Sequence, residues 1–353
     1  MADTKDTQAV RKGEELDYEI LIPFLKERLN MPDEELTIRQ FGAGHSNLTY
    51  ELSAGEDWKV VLRRPPLGPV APKAHDMERE YTVLQALHPV YPLAPRPFLF
   101  ESGDLLGSPF FIMERREGIV YDKHFPEGVE GNAELGRRIS QTMVDKLAEL
   151  HAVDYSRTEL AHMVKPDGFM ERQVHGWIKR YDRSRTDDVV SGERLKKWLV
   201  DHIPLSGAAS VIHYDYKLNN AMFSKRNHAE MVGLFDWEMT TVGDPLADLG
   251  AALSYWIQSD DPPMLQEGLG RPPVTVKDGF FTRDEFVNAY SLKSGRNVDD
   301  IHVYLTFAYF KLAGIIQQIY FRYKNGQTED LRFAQMNHFV NNLIHHAEET
   351  AGL

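Results

Sequence analysis

The chain has 353 residues, 42% of them apolar and 26% charged, and is therefore long enough to bury one large core or two smaller ones. It contains no cysteine, which excludes disulfides, thiolate zinc sites and cysteine nucleophiles and suits a reducing compartment. Its net charge of -13 argues against binding to a phosphate backbone, so we predict no nucleic-acid partner.

Two segments of the sequence bear on where the protein works. Residues 1–15 are polar and lack the apolar region of a secretory signal, so we predict a flexible tail and a cytoplasmic protein. The most apolar segment, residues 303–323, is interrupted by polar residues such as Lys311 and Gln317. This pattern predicts a buried helix and no membrane partner.

The first third of the chain carries the pattern of an antiparallel sheet. Five short segments are rich in β-branched, leucine and aromatic residues and are separated by turn residues. These predicted strands are residues 36–41, 48–53, 58–63, 97–101 and 109–114. Residues 76–87 have apolar side chains at helical spacing, which predicts a helix that crosses the sheet. We therefore predict an N-terminal lobe over residues 16–114.

Helical patterns dominate from residue 133 onwards. The predicted helices are residues 135–153, 192–203, 284–294, 301–324 and 328–351. The exception is a short strand at residues 210–213, followed by a hairpin of residues 221–224 with 231–235. The sequence thus predicts an α+β protein, with a five-stranded antiparallel sheet and its crossing helix before a mainly helical C-terminal lobe over residues 115–353.

Residues with carboxylate, amide and cationic side chains flank this hairpin. HYDYKLNN, residues 213–220, leads into it, and DWE, residues 236–238, follows it. A hairpin returns its ends to one place, so we expect Asp215 and Asn220 to lie beside Asp236. Phosphoryl transfer needs a base or orienter for the attacking hydroxyl, oxygen ligands for magnesium and cations for the phosphate charge. This region contains all three kinds of group.

The same region resembles a known family. VIHYDYKLNNAMFS and GLFDWEMTTVGDPLADLG are similar to the catalytic loop H-x-D-x-x-x-x-N and the metal-binding D-x-E of the aminoglycoside phosphotransferase and choline kinase superfamily, relatives of protein kinases. QFGAGHSNLTYEL, KVVLRRPP, MEREYTVLQAL and PFFIMERREG also follow the family's order, so the resemblance covers roughly residues 20–330. It implies a bilobal protein-kinase-like fold with nucleotide bound by the N-terminal lobe.

The resemblance implies roles for four residues around the hairpin. Asp215 is similar to the catalytic base or orienter of the acceptor hydroxyl, and Lys217 to a cation that meets the γ-phosphate. Asn220 and Asp236 are similar to the Mg²⁺ ligands, with phosphates of ATP or GTP completing the metal shell. Taken singly, each Asx residue is equally explained by turn or cap duty, and Lys217 by solvation. Their arrangement about one hairpin favours the catalytic interpretation.

Three further polar residues of this region are more often structural. We expect His213 to brace the catalytic loop by hydrogen bonding rather than to transfer protons. Asp244 followed by Pro245 is typical of a helix N-cap. We favour a structural role for Asp248 too, while metal contact by either aspartate stays open.

The loop between the first two predicted strands, residues 36–41 and 48–53, offers candidate phosphate contacts. Gly42, Gly44, Ser46 and Asn47 are placed to cover the triphosphate with backbone amides and a hydroxyl. A plain hairpin turn has the same composition, and only the order of this loop before the other motifs favours the nucleotide-binding interpretation.

Four more residues of the N-terminal lobe resemble nucleotide contacts. Arg63 stands where kinases carry a lysine for the α- and β-phosphates, and Glu80 resembles its ion-pair partner. Glu114 and Arg116 bound the segment that resembles the hinge, whose backbone binds the adenine edge. The arginine is a departure from the family, and it is the main support for the alternative of a catalytically silent nucleotide-binding or scaffold protein.

The spacing after Asp236 favours a small-molecule hydroxyl acceptor. A protein kinase needs an activation segment and an A-P-E motif, whereas only six residues, 237–242, separate Asp236 from Gly243. The helices after Val276 would then build the acceptor pocket. Aromatic residues at helical spacing are candidate lining residues there but are more often core: Tyr290, Tyr304, Tyr309 and Tyr320.

Two acceptor classes stay open. LRRPP together with Asp-Tyr-Lys in the catalytic loop is most similar to the branch related to kinase domains joined to acyl-CoA dehydrogenases, whose acceptors are hydroxylated acyl compounds. The acidic balance weakly favours an amino-alcohol or an aminoglycoside. The sequence defines neither ATP against GTP nor the oligomeric state.

Overall fold

A computed structural model describes residues 6–42, 47–67, 75–163, 165, 167–268, 272–328 and 330–353. The chain divides into two compact units. Unit 1 contains residues up to Ile119 together with Ala221–Lys225 and Met231–Thr240, and unit 2 contains Val120–Asn220, Arg226–Glu230 and Thr241–Leu353. The hairpin strands thus belong to unit 1, whereas the predicted boundary after residue 114 assigned them to the C-terminal lobe. The division into a nucleotide-binding lobe and a catalytic lobe stays a prediction.

Unit 1 is built on an antiparallel sheet. Among its described residues, six strands pair in the order β1-β2-β3-β4-β6-β5. Two helices accompany this sheet, and a smaller sheet of order β10-β9-β7 contains the hairpin. The elements are β1 (Thr7–Gln8), α1 (Tyr18–Leu29), β2 (Leu36–Phe41), β3 (Leu48–Ala54), β4 (Trp58–Arg64), α2 (Met77–Leu87), β5 (Pro97–Glu101), β6 (Phe110–Glu114), β7 (Ile119–Val120), β9 (Ala221–Phe223) and β10 (Met231–Leu234).

The alternation of apolar and polar residues explains the main sheet. Every second residue of β3 is buried, as expected for a strand with one face on a core. Leu21 and Leu25 of α1 join this core cluster. The five predicted strands and the crossing helix α2 are confirmed within a residue or two of their predicted bounds.

The N-terminal segment differs from the prediction of a flexible tail over residues 1–15. Residues 1–5 lie outside the described part of the chain, but Thr7 and Gln8 form β1, a sixth strand that pairs with β2. The Arg39 guanidinium donates to the Thr7 hydroxyl and to its carbonyl oxygen, both at 2.8 Å. The tail prediction is therefore wrong from residue 6, because contacts distant in sequence hold a segment with little local signal.

Unit 2 is mainly helical. Two short strands, β8 (Ser210–Ile212) and β11 (Thr241–Gly243), pair antiparallel within it. Its helices are α3 (Ala133–His151), α4 (Leu160–Met163), α5 (Phe169–Ser184), α6 (Glu193–Asp201), α7 (Pro245–Tyr255), α8 (Pro263–Glu267), α9 (Arg283–Ser294), α10 (Ile301–Lys324) and α11 (Met336–Thr350). No helix among the described residues is long and apolar enough to cross a bilayer.

Helices α7 and α10 approach each other closely at Gly250. A Cβ atom built on Gly250 would lie 2.8 Å from the main-chain carbonyl carbon and oxygen of Tyr304. Any larger side chain would therefore press on backbone, which cannot rotate out of the way. The small residue sets the spacing of the two helices that carry Asp248 and Lys311.

We expect Gly250→Ala to lower the free energy of unfolding by about 1–3 kcal/mol, because the added methyl group overpacks the α7–α10 contact. Thermal and urea unfolding measure this change. Gly207→Ala is the control, since a Cβ there meets no atom within 4 Å, and we expect it to stay within about 0.5 kcal/mol of the wild type. Equal stability of the two variants would contradict the close approach.

Candidate active site

The catalytic-loop residues of unit 2 form a compact hydrogen-bonded group. The Asp215 carboxylate accepts from the Lys217 ammonium at 2.8 Å and from the Asn220 side-chain amide at 3.0 Å, both through Oδ2. The same Asn220 nitrogen also donates to the Asp215 carbonyl at 3.0 Å. Because its nitrogen is committed to Asp215, the oxygen is the atom of the Asn220 side chain that suits a metal ion. The structure thus brings together three of the predicted site residues.

Asp248, on α7 of unit 2, anchors the backbone of the loop that contains Asp215. Its side chain is fully buried, and its two oxygens accept from the backbone N–H groups of His213 at 2.7 Å and Tyr214 at 2.8 Å. Tyr214 has a φ of 66°, a conformation that costs a non-glycine residue about 1–3 kcal/mol. The two amide hydrogen bonds therefore fix a strained turn directly before Asp215.

A histidine contacts Asp248, and a tyrosine contacts that histidine in turn. His151 Nε2 lies 3.1 Å from Asp248 Oδ2, and the Tyr290 hydroxyl lies 2.7 Å from His151 Nδ1. Burial alone would raise the pKa of Asp248, but the hydrogen bond from His151 and the one from the His213 backbone hold that pKa below its ordinary value. Asp248 is therefore an ionised anchor of the loop.

The expected structural roles of His213 and Asp244 are confirmed. His213 is fully buried, and its Nδ1 accepts from the Asp215 backbone N–H at 3.3 Å. Asp244 caps α7, accepting from the Leu246 N–H at 2.9 Å with Pro245 at the start of the helix. Tyr304 donates its hydroxyl hydrogen to the second oxygen of Asp244 at 2.8 Å.

Arg63 in unit 1 contacts several carboxylates. Its side chain is only 12% exposed, and one guanidinium nitrogen lies 2.7 Å from Asp236 Oδ1 and 4.0 Å from Glu238 Oε2. Nε lies 3.1 Å from Glu80 Oε2, in an ion pair too poorly aligned for a hydrogen bond. The predicted pairing of Arg63 with Glu80 is thus present, and the same arginine also reaches Asp236.

Burial and charge act against each other in this cluster. Burial opposes the charge on Arg63, but the carboxylates of Glu80, Asp236 and Glu238 raise its pKa above the ordinary value. Burial also raises the pKa of Glu80 to about 7, although Arg63 pulls it down. The arginine therefore stays charged and holds several acidic groups together.

Asn47, the last of the candidate phosphate contacts in the loop before β3, joins the cluster around Arg63. The Asn47 side-chain amide donates to Glu238 Oε2 at 3.0 Å, and its oxygen lies 2.8 Å from His75 Nδ1. Arg79 on α2 donates to the carbonyl oxygen of Glu238 at 2.8 Å and also to that of Thr240. The D-W-E segment is thus bound to Asn47, directly before β3, and to α2 within unit 1.

The other predicted nucleotide contacts differ in what they do. Gly44 and Ser46 lie outside the described residues, and the Gly42 N–H makes a long contact of 3.4 Å to the Asp6 carbonyl. Glu114 ends β6, and its carboxylate lies 3.0 Å from Arg116. The Arg116 guanidinium also donates to the carbonyl oxygens of Pro92 and Val232, both at 2.6 Å, so its side chain pins the chain after β6.

A cavity of about 190 Å³ lies within unit 2, next to the catalytic loop. Tyr216 and Lys217 are among its lining residues. Most of the wall is apolar or aromatic and includes Met143, Leu218, Ala252, Trp256, Leu265 and Phe286. The candidate tyrosines 290, 304, 309 and 320 are buried core residues and are not among the residues described as lining this cavity. The favoured core interpretation of these tyrosines is therefore correct.

Sequence reasoning missed several residues that support the site. Glu238 and His75 in unit 1 contact the predicted site residue Asn47, Arg79 contacts the Glu238 carbonyl, and His151 in unit 2 contacts Asp248. Glu238 alone carried a local signal, as the third letter of D-W-E. The other three are recognisable only once tertiary contacts are known.

The fold is similar to that of several solved phosphotransferases and kinases. A protein of Ralstonia eutropha JMP134 named as a candidate aminoglycoside phosphotransferase superposes with a TM-score of 0.79 at 26% identity, covering 96% of this chain and 99% of that one. Choline kinase from Cryptosporidium parvum Iowa II gives 0.65 at 12% identity over 95% of both chains. Spectinomycin phosphotransferase, solved with ADP and spectinomycin, gives 0.57 at 14% identity over 96% and 99%. The predicted α+β protein-kinase-like fold is confirmed.

The sequence itself gives the family. Residues 37–272 match the phosphotransferase enzyme family APH, and the chain belongs to this family of small-molecule phosphotransferases. It is also 32% identical to acyl-CoA dehydrogenase family member 10 of Mus musculus, over 91% of this chain and 30% of that protein. Member 11 of Gallus gallus is 31% identical over 92% and 42%. The chain thus spans less than half of these relatives, and the predicted branch of the superfamily is confirmed.

We expect Asp248→Asn to destabilise the protein by about 1–3 kcal/mol, because the new amide nitrogen must face a buried backbone N–H that loses its acceptor. Chemical denaturation followed by fluorescence measures the loss. Asp244→Asn is the matched control, since asparagine caps a helix as well as aspartate does and its amide nitrogen can donate to the Tyr304 hydroxyl. A control variant as unstable as Asp248→Asn would contradict the anchoring role.

Proposed function

We propose that the protein transfers the γ-phosphoryl group of ATP or GTP to a hydroxyl group of a small molecule, with Mg²⁺ as cofactor. The observation that carries this proposal is the Asp215 group of unit 2, in which one carboxylate is held by a lysine and an asparagine beside a cavity. Membership of the APH family and a relative by fold that was solved with ADP support the nucleotide. The cysteine-free sequence supports a cytoplasmic location.

Asp215 acts as the base or orienter in this scheme. It accepts the proton of the acceptor hydroxyl as that oxygen forms a bond to the γ-phosphorus, while the bond from the γ-phosphorus to the β–γ bridging oxygen breaks and the nucleoside diphosphate leaves. Lys217, whose ammonium already lies 2.8 Å from Asp215, provides positive charge for the transferred group. The protein contributes chiefly position and charge.

The donor chemistry of two residues fits magnesium. The Asp236 carboxylate, 28% exposed, and the Asn220 amide oxygen are hard oxygen donors of the kind that Mg²⁺ binds together with nucleotide phosphates. When bound, Mg²⁺ neutralises charge on the phosphate oxygens. Arg63 binds the α- and β-phosphates in the place of the usual lysine, and its existing pairing with Glu80 supports a working nucleotide site rather than a silent one.

The cavity favours a hydroxylated acyl acceptor over a cationic one. Its largely apolar wall suits a hydrocarbon chain, and burial of such a chain is favourable by about 25 cal/mol per Å². Aromatic walls also bind quaternary ammonium groups, but two lysines, Lys123 and Lys217, line the same cavity against one carboxylate, Asp122, and this excess of positive charge disfavours a cation. The relatives named as acyl-CoA dehydrogenase family members support the same acceptor class.

We expect Asp215→Asn to lower kcat by about 10²–10⁴-fold while leaving the affinity for nucleotide nearly unchanged, because only proton acceptance is lost. Release of ADP or GDP is measured with Mg²⁺ across hydroxyacyl, choline-like, aminoglycoside and sugar acceptors. Asp201→Asn is the control, an exposed aspartate paired with Lys197. Nucleotide binding without turnover on any acceptor would instead identify a silent protein.

We expect Ala252→Leu to raise KM for a hydroxyacyl acceptor by at least about tenfold, because the larger side chain removes room from a wall that contacts the chain. KM for the nucleotide serves as the internal control and should change by less than about twofold. An unchanged KM for the hydroxyacyl acceptor would place the acyl group outside this cavity.

A further inference from the structure

Unit 2 contains a buried lysine that the phosphoryl-transfer scheme does not use. Lys311 lies near the middle of α10 and is only 4% exposed. Its ammonium donates to the carbonyl oxygen of Tyr214 at 3.1 Å and lies 3.2 Å from the centroid of the Tyr214 ring. Both contacts are made to the residue that directly precedes Asp215.

Tyr214 is held on several sides. Its N–H donates to Asp248 at 2.8 Å, its carbonyl accepts from Lys311, and its ring packs edge-on against Phe169 with centroids 5.8 Å apart. The two peptide groups that flank Tyr214 are therefore each fixed by a buried charge of opposite sign. The second peptide group includes the nitrogen of Asp215, so its orientation sets the direction of the Asp215 side chain.

Stability does not explain why a lysine is present at this position. Burial of an ammonium group is expensive, and an apolar residue of similar volume is often as stable or more stable. Burial lowers the pKa of Lys311 to about 7, while the carboxylates of Asp215 and Asp248 act against that change and Lys217 and Arg180 add to it. A methionine would fill the same space in α10 without a buried charge.

We propose that Lys311 is a positioning residue for phosphoryl transfer, whose ammonium fixes the peptide group between Tyr214 and Asp215 and so aims the Asp215 carboxylate at the acceptor hydroxyl. This inference rests on the proposed function of the Asp215 site. It adds a cation on α10 that contacts neither nucleotide nor acceptor and acts through the backbone of the loop.

The test compares Lys311→Met, Lys311→Arg and a control, Lys196→Met. Lys196 is also buried, at 6% exposure, and lies over a tyrosine ring, but it pairs with Asp182 and Glu193. Each variant is assayed with the best acceptor of the panel, or by nucleotide hydrolysis where water is the acceptor. Melting temperature is measured between pH 6 and pH 9.

We expect Lys311→Met to lower kcat by about tenfold to a hundredfold, with KM for nucleotide and acceptor changed less than about twofold, because misaiming the base affects the chemical step. Lys311→Arg restores part of the loss because it keeps the charge. Lys196→Met keeps kcat and loses stability.

The pH dependence of stability provides a second, independent readout. Lys311 has a pKa of about 7 in the folded chain, below that of an unfolded lysine, so its destabilising effect is complete below pH 7 and is relieved as the pH rises above that value. We therefore expect Lys311→Met to melt at or above the wild-type temperature, with the larger gain at pH 6.

Two results would overturn the inference. Wild-type kcat in Lys311→Met would show that the loop does not need this cation, and an equal loss of kcat in Lys196→Met would show a general effect of removing a buried lysine. If the wild-type protein neither transfers phosphoryl groups to any acceptor nor hydrolyses nucleotide, the proposed function and this inference both fail. If the wild type is active and Lys311→Met has the same kcat, only this inference fails.

Discussion

The site in unit 2 depends on one buried carboxylate that accepts two consecutive backbone N–H groups. Asp248 fixes the amides of His213 and Tyr214 and thereby holds Tyr214 in a left-handed conformation that an isolated chain would rarely adopt. Asp215 follows this turn and inherits its orientation. The helices α7 and α10 meet at Gly250, so the spacing of two packed helices affects where the Asp215 carboxylate stands.

Unit 1 relies on the opposite charge. The Arg63 guanidinium lies near Glu80, Asp236 and Glu238, and Glu80, at 3% exposure, would be costly to bury without it. A lysine presents its charge at one point, whereas the planar guanidinium presents nitrogens in different directions and can serve Glu80 and Asp236 at the same time. Arg63, in the place of the lysine usual in the family, can therefore contact two acidic residues at once.

Local patterns were sufficient to predict the sheet, α2, α10 and the hairpin, because periodic burial is written into each of these segments. These patterns failed where the local sequence signal is mixed or where the stabilising contacts come from residues distant in sequence. The helix α1 contains Pro23, which argues against a helix, and β1 is held by contacts with Arg39. The spacing of Val174, Trp177 and Tyr181 could have revealed α5. A structural role for Asp248 and a buried helix around Lys311 were expected, but the backbone groups that these two side chains bind follow only from tertiary contacts.

The separation between loop and cavity has an evolutionary consequence. The catalytic loop is held through its backbone by buried charges, whereas the cavity wall is made by side chains from several helices, among them Ala252 of α7 and Phe286 of α9. Mutations in the wall can therefore accumulate without disturbing the aim of Asp215. Under the proposed function, a lineage with this architecture can change its acceptor through successive substitutions in the cavity wall while the residues that carry out phosphoryl transfer stay the same.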